Sequence, residues 1–160
     1  MEFSKPGREH AFLQRLVGEW VAVSERHGET TRGAEDLNWV ETTRSVGGLW
    51  FISEGHGTMP DGDPAHMVMT LGYDAEAGHY VGTWIGSMMT KLWIYKGWVE
   101  ADGHTLILEA EGPRMDGEGT ALYRDVITLL DDDHRRFAGS IQQEDGAFRE
   151  FMSSDFKRKV

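Results

Sequence analysis

The spacing of the turns constrains this chain more than any other feature. After Gly18 the sequence breaks at Gly47-Gly48, at Met59 to Pro64, at Ala75 to Gly78, at Ala101-Asp102-Gly103, at Asp131 to Asp133 and at Glu144-Asp145-Gly146. Each is a short cluster of Gly, Pro or Asp, the residues that accept or initiate tight turns. Between the breaks, residues alternate with period two, as strands do. Short turns join antiparallel neighbours, whereas parallel strands need a crossover of a dozen or more residues, usually a helix. No segment after Gly18 supplies such a helix, so a doubly wound α/β fold is excluded and a sandwich or an up-and-down barrel remains. About ten strands in a meander close most naturally as a barrel.

The clearest run is Thr70 to Gly97, where one strand ends at Tyr73-Asp74 and the next follows from His79 to Ile85. Earlier, Trp20, Ala22 and Ser24 share one face of a first strand, and a polar loop spans His27 to Asp36 before a second strand over Leu37 to Val46. In the third strand, Leu49 to Met59, Trp50, Ile52, Glu54 and His56 oppose Leu49, Phe51, Ser53 and Gly55, and one of these sets must face inward. A single helix is expected near the N-terminus, over about residues 6–17. Ser4 is its candidate N-cap before Pro6, and Phe12, Leu13, Leu16 and Val17 form its apolar stripe. Such a helix must bury that stripe against the sheet, most simply across one end of the barrel.

One domain is expected over residues 1–160, since no Pro- or Ser-rich linker divides the chain and six Trp with 39% hydrophobic residues can supply a core. A formal net charge of −11 opposes nucleic acid and anionic membrane surfaces as partners. With no Cys there is no disulfide framework and no thiolate nucleophile or ligand, as suits a reducing compartment. The N-terminal MEFSKPGREH has no apolar signal core and no run reaches membrane-span length, so a cytoplasmic location is expected.

Gly18-Glu19-Trp20 after a short helix resembles the G-x-W signature of lipocalins and other calycins. Together with Val46-Gly47-Gly48, Leu71-Gly72-Tyr73-Asp74, Tyr80-Val81-Gly82-Thr83-Trp84, Tyr95-Lys96-Gly97 and the terminal Phe156-Lys157-Arg158-Lys159, it resembles the DUF1579 family, lipocalin-like proteins of unknown function. The resemblance implies a calycin-type β-barrel with a helix near one end and brings no established reaction. It also implies that an Arg near the last strand, here Arg158, packs across Trp20; Arg124 is the competing partner. Gly86 departs from the family pattern, in which an acidic residue is common at that place.

The candidate ligand-binding residues are Arg44, Trp50, His56, Met67, Met69, Trp84, Met88 and Trp93. Ring faces and thioethers accommodate apolar ligands without strict geometry, and a guanidinium can fork onto a carboxylate. Ten strands are expected to leave more interior space than eight. Met88 and Met89 lie in a connection at the presumed rim. For catalysis the candidates are His56, its i−2 neighbour Glu54, and His79. His-x-His, HExxH and Gly-x-Ser-x-Gly motifs are missing, so neither a metal site nor a serine elbow is expected.

The leading expectation is therefore a barrel holding an apolar or amphipathic small molecule, with no cofactor. A barrel isomerase or hydrolase using an inward His is the second reading. A homodimeric interaction protein with a filled barrel is the third. Related barrels can hold haem through one His, which makes haem the cofactor to test.

Overall fold

The computed structural model describes residues 2–23 and 38–160. Among the described residues one helix, α1 (Arg8–Gln14), precedes ten strands: β1 (Gly18–Val23), β2 (Val40–Val46), β3 (Trp50–Thr58), β4 (Pro64–Asp74), β5 (His79–Gly86), β6 (Trp93–Val99), β7 (Thr105–Pro113), β8 (Thr120–Leu129), β9 (His134–Gln142) and β10 (Phe148–Arg158). Every pairing is antiparallel; all join sequence neighbours except that of β1 with β10, which closes the ring. Closure gives every strand a neighbour on both sides. The all-β, ten-stranded up-and-down barrel expected from the turns is thus the fold. The loop read over His27 to Asp36, and Leu37 at the start of the second strand, lie outside the described residues; β2 begins at Val40.

Parity decides which side chains enter the barrel. In β3 the inward set is Phe51, Ser53 and Gly55, because Phe51 is buried while Trp50, Glu54 and His56 are exposed. Met67, Met69 and Leu71 of β4, Tyr80 and Gly82 of β5, and Leu106, Leu108 and Ala110 of β7 continue the inner face. β10 carries a bulge between Glu150 and Met152, which adds Phe151 to the strand and re-aims the side chains beside it.

The helix is shorter than its apolar stripe suggests. Gly7, not Ser4, is the N-cap, and the Gly7 N–H donates to Nδ1 of His10 at 3.0 Å. Past Gln14 the chain tightens, with Leu16 N–H donating to the Leu13 carbonyl and Val17 N–H to that of Gln14, so Leu16 and Val17 pack from a terminal turn. Phe12, Leu13 and Leu16 are all buried. The Tyr80 hydroxyl donates to the Glu9 carbonyl at 2.8 Å and Trp20 Nε1–H to that of Leu16 at 2.9 Å, pinning the helix across the lower end.

Arg158 completes that seal. Its guanidinium lies 4.3 Å from the Trp20 ring centroid and donates to the carbonyls of Val17 (2.5 Å), Arg15 (2.9 Å) and Asp132 (2.9 Å). Gly18 sits beside it with φ +133°, where a Cβ would meet Arg158 Nη1 at 2.5 Å. The Gly of the G-x-W signature therefore serves both a left-handed backbone and a guanidinium approach. Arg124 instead pairs with Glu109 at 2.8 Å on the outer wall and covers Phe148 at 3.9 Å.

Candidate functional site

The lower interior of the barrel holds a polar niche. Arg135 of β9 and Glu41 of β2 both point inward and pair at 2.6 Å, with side chains only 6% and 9% exposed. The Arg135 guanidinium lies 4.3 Å from the Phe156 ring and 5.0 Å from that of Trp20, and its Nε has no hydrogen-bond partner among the described residues. Nearby, the hydroxyls of Thr43 and Ser53 share a hydrogen bond of 2.7 Å. These residues, with Leu16 and Met69, border a cavity of about 10 Å³, room for about one water. The space expected from ten strands is thus missing in this part of the barrel, because long side chains such as Arg135, Met69 and Phe137 converge there.

A second polar contact crosses the interior at Tyr95 and Asp125, whose hydroxyl and carboxylate are hydrogen-bonded. Enclosure by the barrel wall pushes the Asp125 carboxyl up to about 6, although the Tyr95 hydrogen bond favours its charged form. Burial first, and the neighbouring Asp125 second, raise Tyr95 well above the usual tyrosine range, so Tyr95 remains the donor.

Toward the upper end, rings lie against the wall over glycines. Trp84 covers Gly86, Trp93 covers Gly112, Trp39 covers Gly55 and Phe151 covers Gly139; a Cβ at any of these glycines would collide with the ring. Gly86, where the family pattern has an acid, also approaches the Met88 sulfur. Trp93 Nε1–H donates to Met89 Sδ at 3.0 Å, and the Trp93, Tyr123 and Phe151 rings meet edge to face with centroids 5.0 and 6.1 Å apart. The rim above them leaves apolar surface in solvent: Met88, Met89, Leu92 and Met115 are 38 to 60% exposed.

A single interior row links niche and rim. Thr43 pairs with Ser53, Ser53 with Met69, Met69 with Trp84, and Trp84 with Trp93. Strands in a barrel tilt by about 35–45°, so a row perpendicular to them climbs the wall. Thr43 lies beside the niche, while Trp84 and Trp93 lie next to the Met88-Met89 rim.

Of the residues singled out from sequence, Met67, Met69, Trp84 and Trp93 come together inside and Met88 stands at the rim. Arg44, Trp50 and His56 stand on the outer face. Glu54 is also outward, as is His79, whose Nδ1 lies 2.9 Å from the Tyr80 carbonyl. His56 meets His66 ring to ring, 5.7 Å apart, on the outer wall. The acid/base reading requires an inward His, and these positions do not provide one. Glu41, Thr43, Ser53, Arg135, Tyr95 and Asp125 escape sequence reasoning, although the doublet Arg135-Arg136 carried a usable signal: within one strand, one of two adjacent arginines must face inward. Among the described residues no group of three His, Asp or Glu is placed to hold a metal ion, and no helix is long and apolar enough to cross a membrane.

A family model described as "Protein of unknown function (DUF1579)" matches residues 5–158. The chain belongs to the DUF1579 family. No curated protein matches this DUF1579 chain. The match includes α1, all ten strands, the sealed lower end and the interior row.

Proposed function

We propose that this DUF1579 barrel binds a small amphipathic molecule along the interior row from Thr43 to Trp93. The polar end lies at Thr43, Ser53 and the Nε edge of Arg135, and the apolar part runs over Met69, Trp84 and Trp93 toward Met88. The row carries the reading: it joins a buried polar niche to a solvent-exposed apolar rim over four strand spacings, about 19 Å. Buried ionic pairs rarely add net stability over apolar packing, so placing Glu41 and Arg135 at the end of such a row suits recognition better than stabilisation. The water-sized cavity means that the ligand must displace side chains. Met67 and Met69 are unbranched thioethers able to re-pack.

Native mass spectrometry of freshly purified protein tests for a co-purifying molecule, and tryptophan fluorescence titrated with sodium decanoate tests the row. A saturable change in the wild type, lost in Trp84→Ala and weakened in Ser53→Ala, is expected. The absence of both an adduct and a saturable fluorescence change with millimolar decanoate would overturn the proposal.

A further inference from the structure

The outer wall of β3 to β6 presents a face that the interior row does not use. Three registered rows cross it: Trp50, Gly72, Val81 and Lys96; then Ile52, Thr70, Thr83 and Ile94; then Glu54, Val68 and Ile85. Trp50, Ile85 and Ile94 are 46%, 48% and 66% exposed. At its centre the Thr70 and Thr83 hydroxyls bond each other at 2.7 Å, so the face offers little unmet polarity there. Its two charges stand at opposite corners, Glu54 on β3 and Lys96 on β6, and neither has an ion-pair partner among the described residues. Each strand of the closed barrel already has a neighbour on both sides, so the broad apolar face, rather than an edge strand, is the surface offered to a partner.

We propose that this face is a homodimer interface whose occupant is a second copy of the chain. The corner charges select that partner. An isologous twofold lying in the face, along the diagonal that does not pass through Glu54 and Lys96, sets each Glu54 opposite Lys96 of the other copy. The same operation crosses the strands at nearly 90°, a recognised sheet-packing geometry. It drops Ile52 beside Gly72 and Val81 of the other copy, and Ile94 between its Val68 and Ile85. Trp50, laid flat over Gly72, meets its own counterpart near the axis and supplies the aromatic anchor. Elsewhere a chain of net charge −11 repels its own copy; on this face the charges cancel. The footprint, about 20 by 20 Å from strand and residue spacings, is about half of the roughly 800 Å² per partner of a standard interface. The dimer is accordingly weak and concentration-dependent.

Sedimentation velocity of the full chain from micromolar to about 0.5 mM tests it. The wild type is expected to dimerise, Lys96→Glu and Glu54→Lys each to weaken dimerisation at least tenfold, and the double charge swap to restore it. Glu54→Lys is the discriminating variant, because it lowers the net charge from −11 to −9 (−11 + 2) and would strengthen association if general repulsion governed it. A wild type that stays monomeric throughout would overturn the proposal, whether or not it sediments with phosphatidylcholine vesicles. So would single reversals without effect, or a double swap that fails to restore the dimer.

Discussion

Replacing Asp125 by Asn should change how stability depends on pH more than it changes stability itself. The folded protein holds the Asp125 carboxyl at about 6, against an ordinary value of 3.8. Between these values the folded state keeps a proton that the unfolded chain has released, so the stabilisation from this group is complete below pH 3.8 and is lost as pH rises to about 6. Two units at about 1.4 kcal/mol each give a loss of roughly 2 to 3 kcal/mol across that window. The amide of the variant can still accept from Tyr95, but its NH₂ needs a new partner, a pH-independent cost of about 1 to 3 kcal/mol. Urea unfolding at a series of pH values gives the stability of each protein, and the difference between wild type and variant cancels every other titrating carboxylate. That difference should fall by about 2 to 3 kcal/mol from pH 4 to pH 7 and then level off. In Tyr95→Phe, which removes the hydrogen bond favouring the charged form, the loss should continue above pH 6. A difference between wild type and Asp125→Asn that stays flat from pH 4 to pH 8 would refute the assignment of Asp125 as an enclosed, proton-retaining acid.

Arg135→Met leaves Glu41 buried without its partner and should cost about 3 to 5 kcal/mol, whereas combining it with Glu41→Leu should recover most of that loss; denaturant unfolding of both variants measures it. Gly18→Ala, with φ at +133° and its Cβ directed at Arg158, should lose about 1 to 3 kcal/mol, read as a lower melting temperature. Leu13→Ala removes a side chain with no exposed surface and should destabilise by about 2 to 5 kcal/mol, read in the same assay.

The fold was legible because turn chemistry is local. Gly47-Gly48, Ala75 to Gly78 and Asp102-Gly103 announce reversals from their own residues, and short reversals permit only antiparallel neighbours. Trp20 with Arg158 was legible through the family signature, and the contact is present. The interior site was harder, since it depends on parity. In β2 the alternating sets Glu41, Thr43 and Thr42, Arg44 are both polar, so hydrophobicity gives no register, and a one-residue slip exchanges Glu41 for Arg44 in the interior. Trp50 and Ile52 suggest an inward face by their size, yet Trp50 lies over Gly72 outside, while Ser53 and Gly55 face in. Helix length is not legible from the pattern, because the apolar stripe continues through Leu16 and Val17 after the backbone has left α-helical bonding.

A ligand entering along the row from Trp93 to Thr43 would have to displace Met69. The most direct measurement is an NMR titration of the protein, labelled with ¹³C at its methionine methyls, against sodium decanoate. If the ligand occupies the interior row, the methyls of Met69 and Met67 shift saturably together with that of Met88. Shifts confined to the rim methionines Met88, Met89 and Met115, or no saturable shift at all, would contradict it.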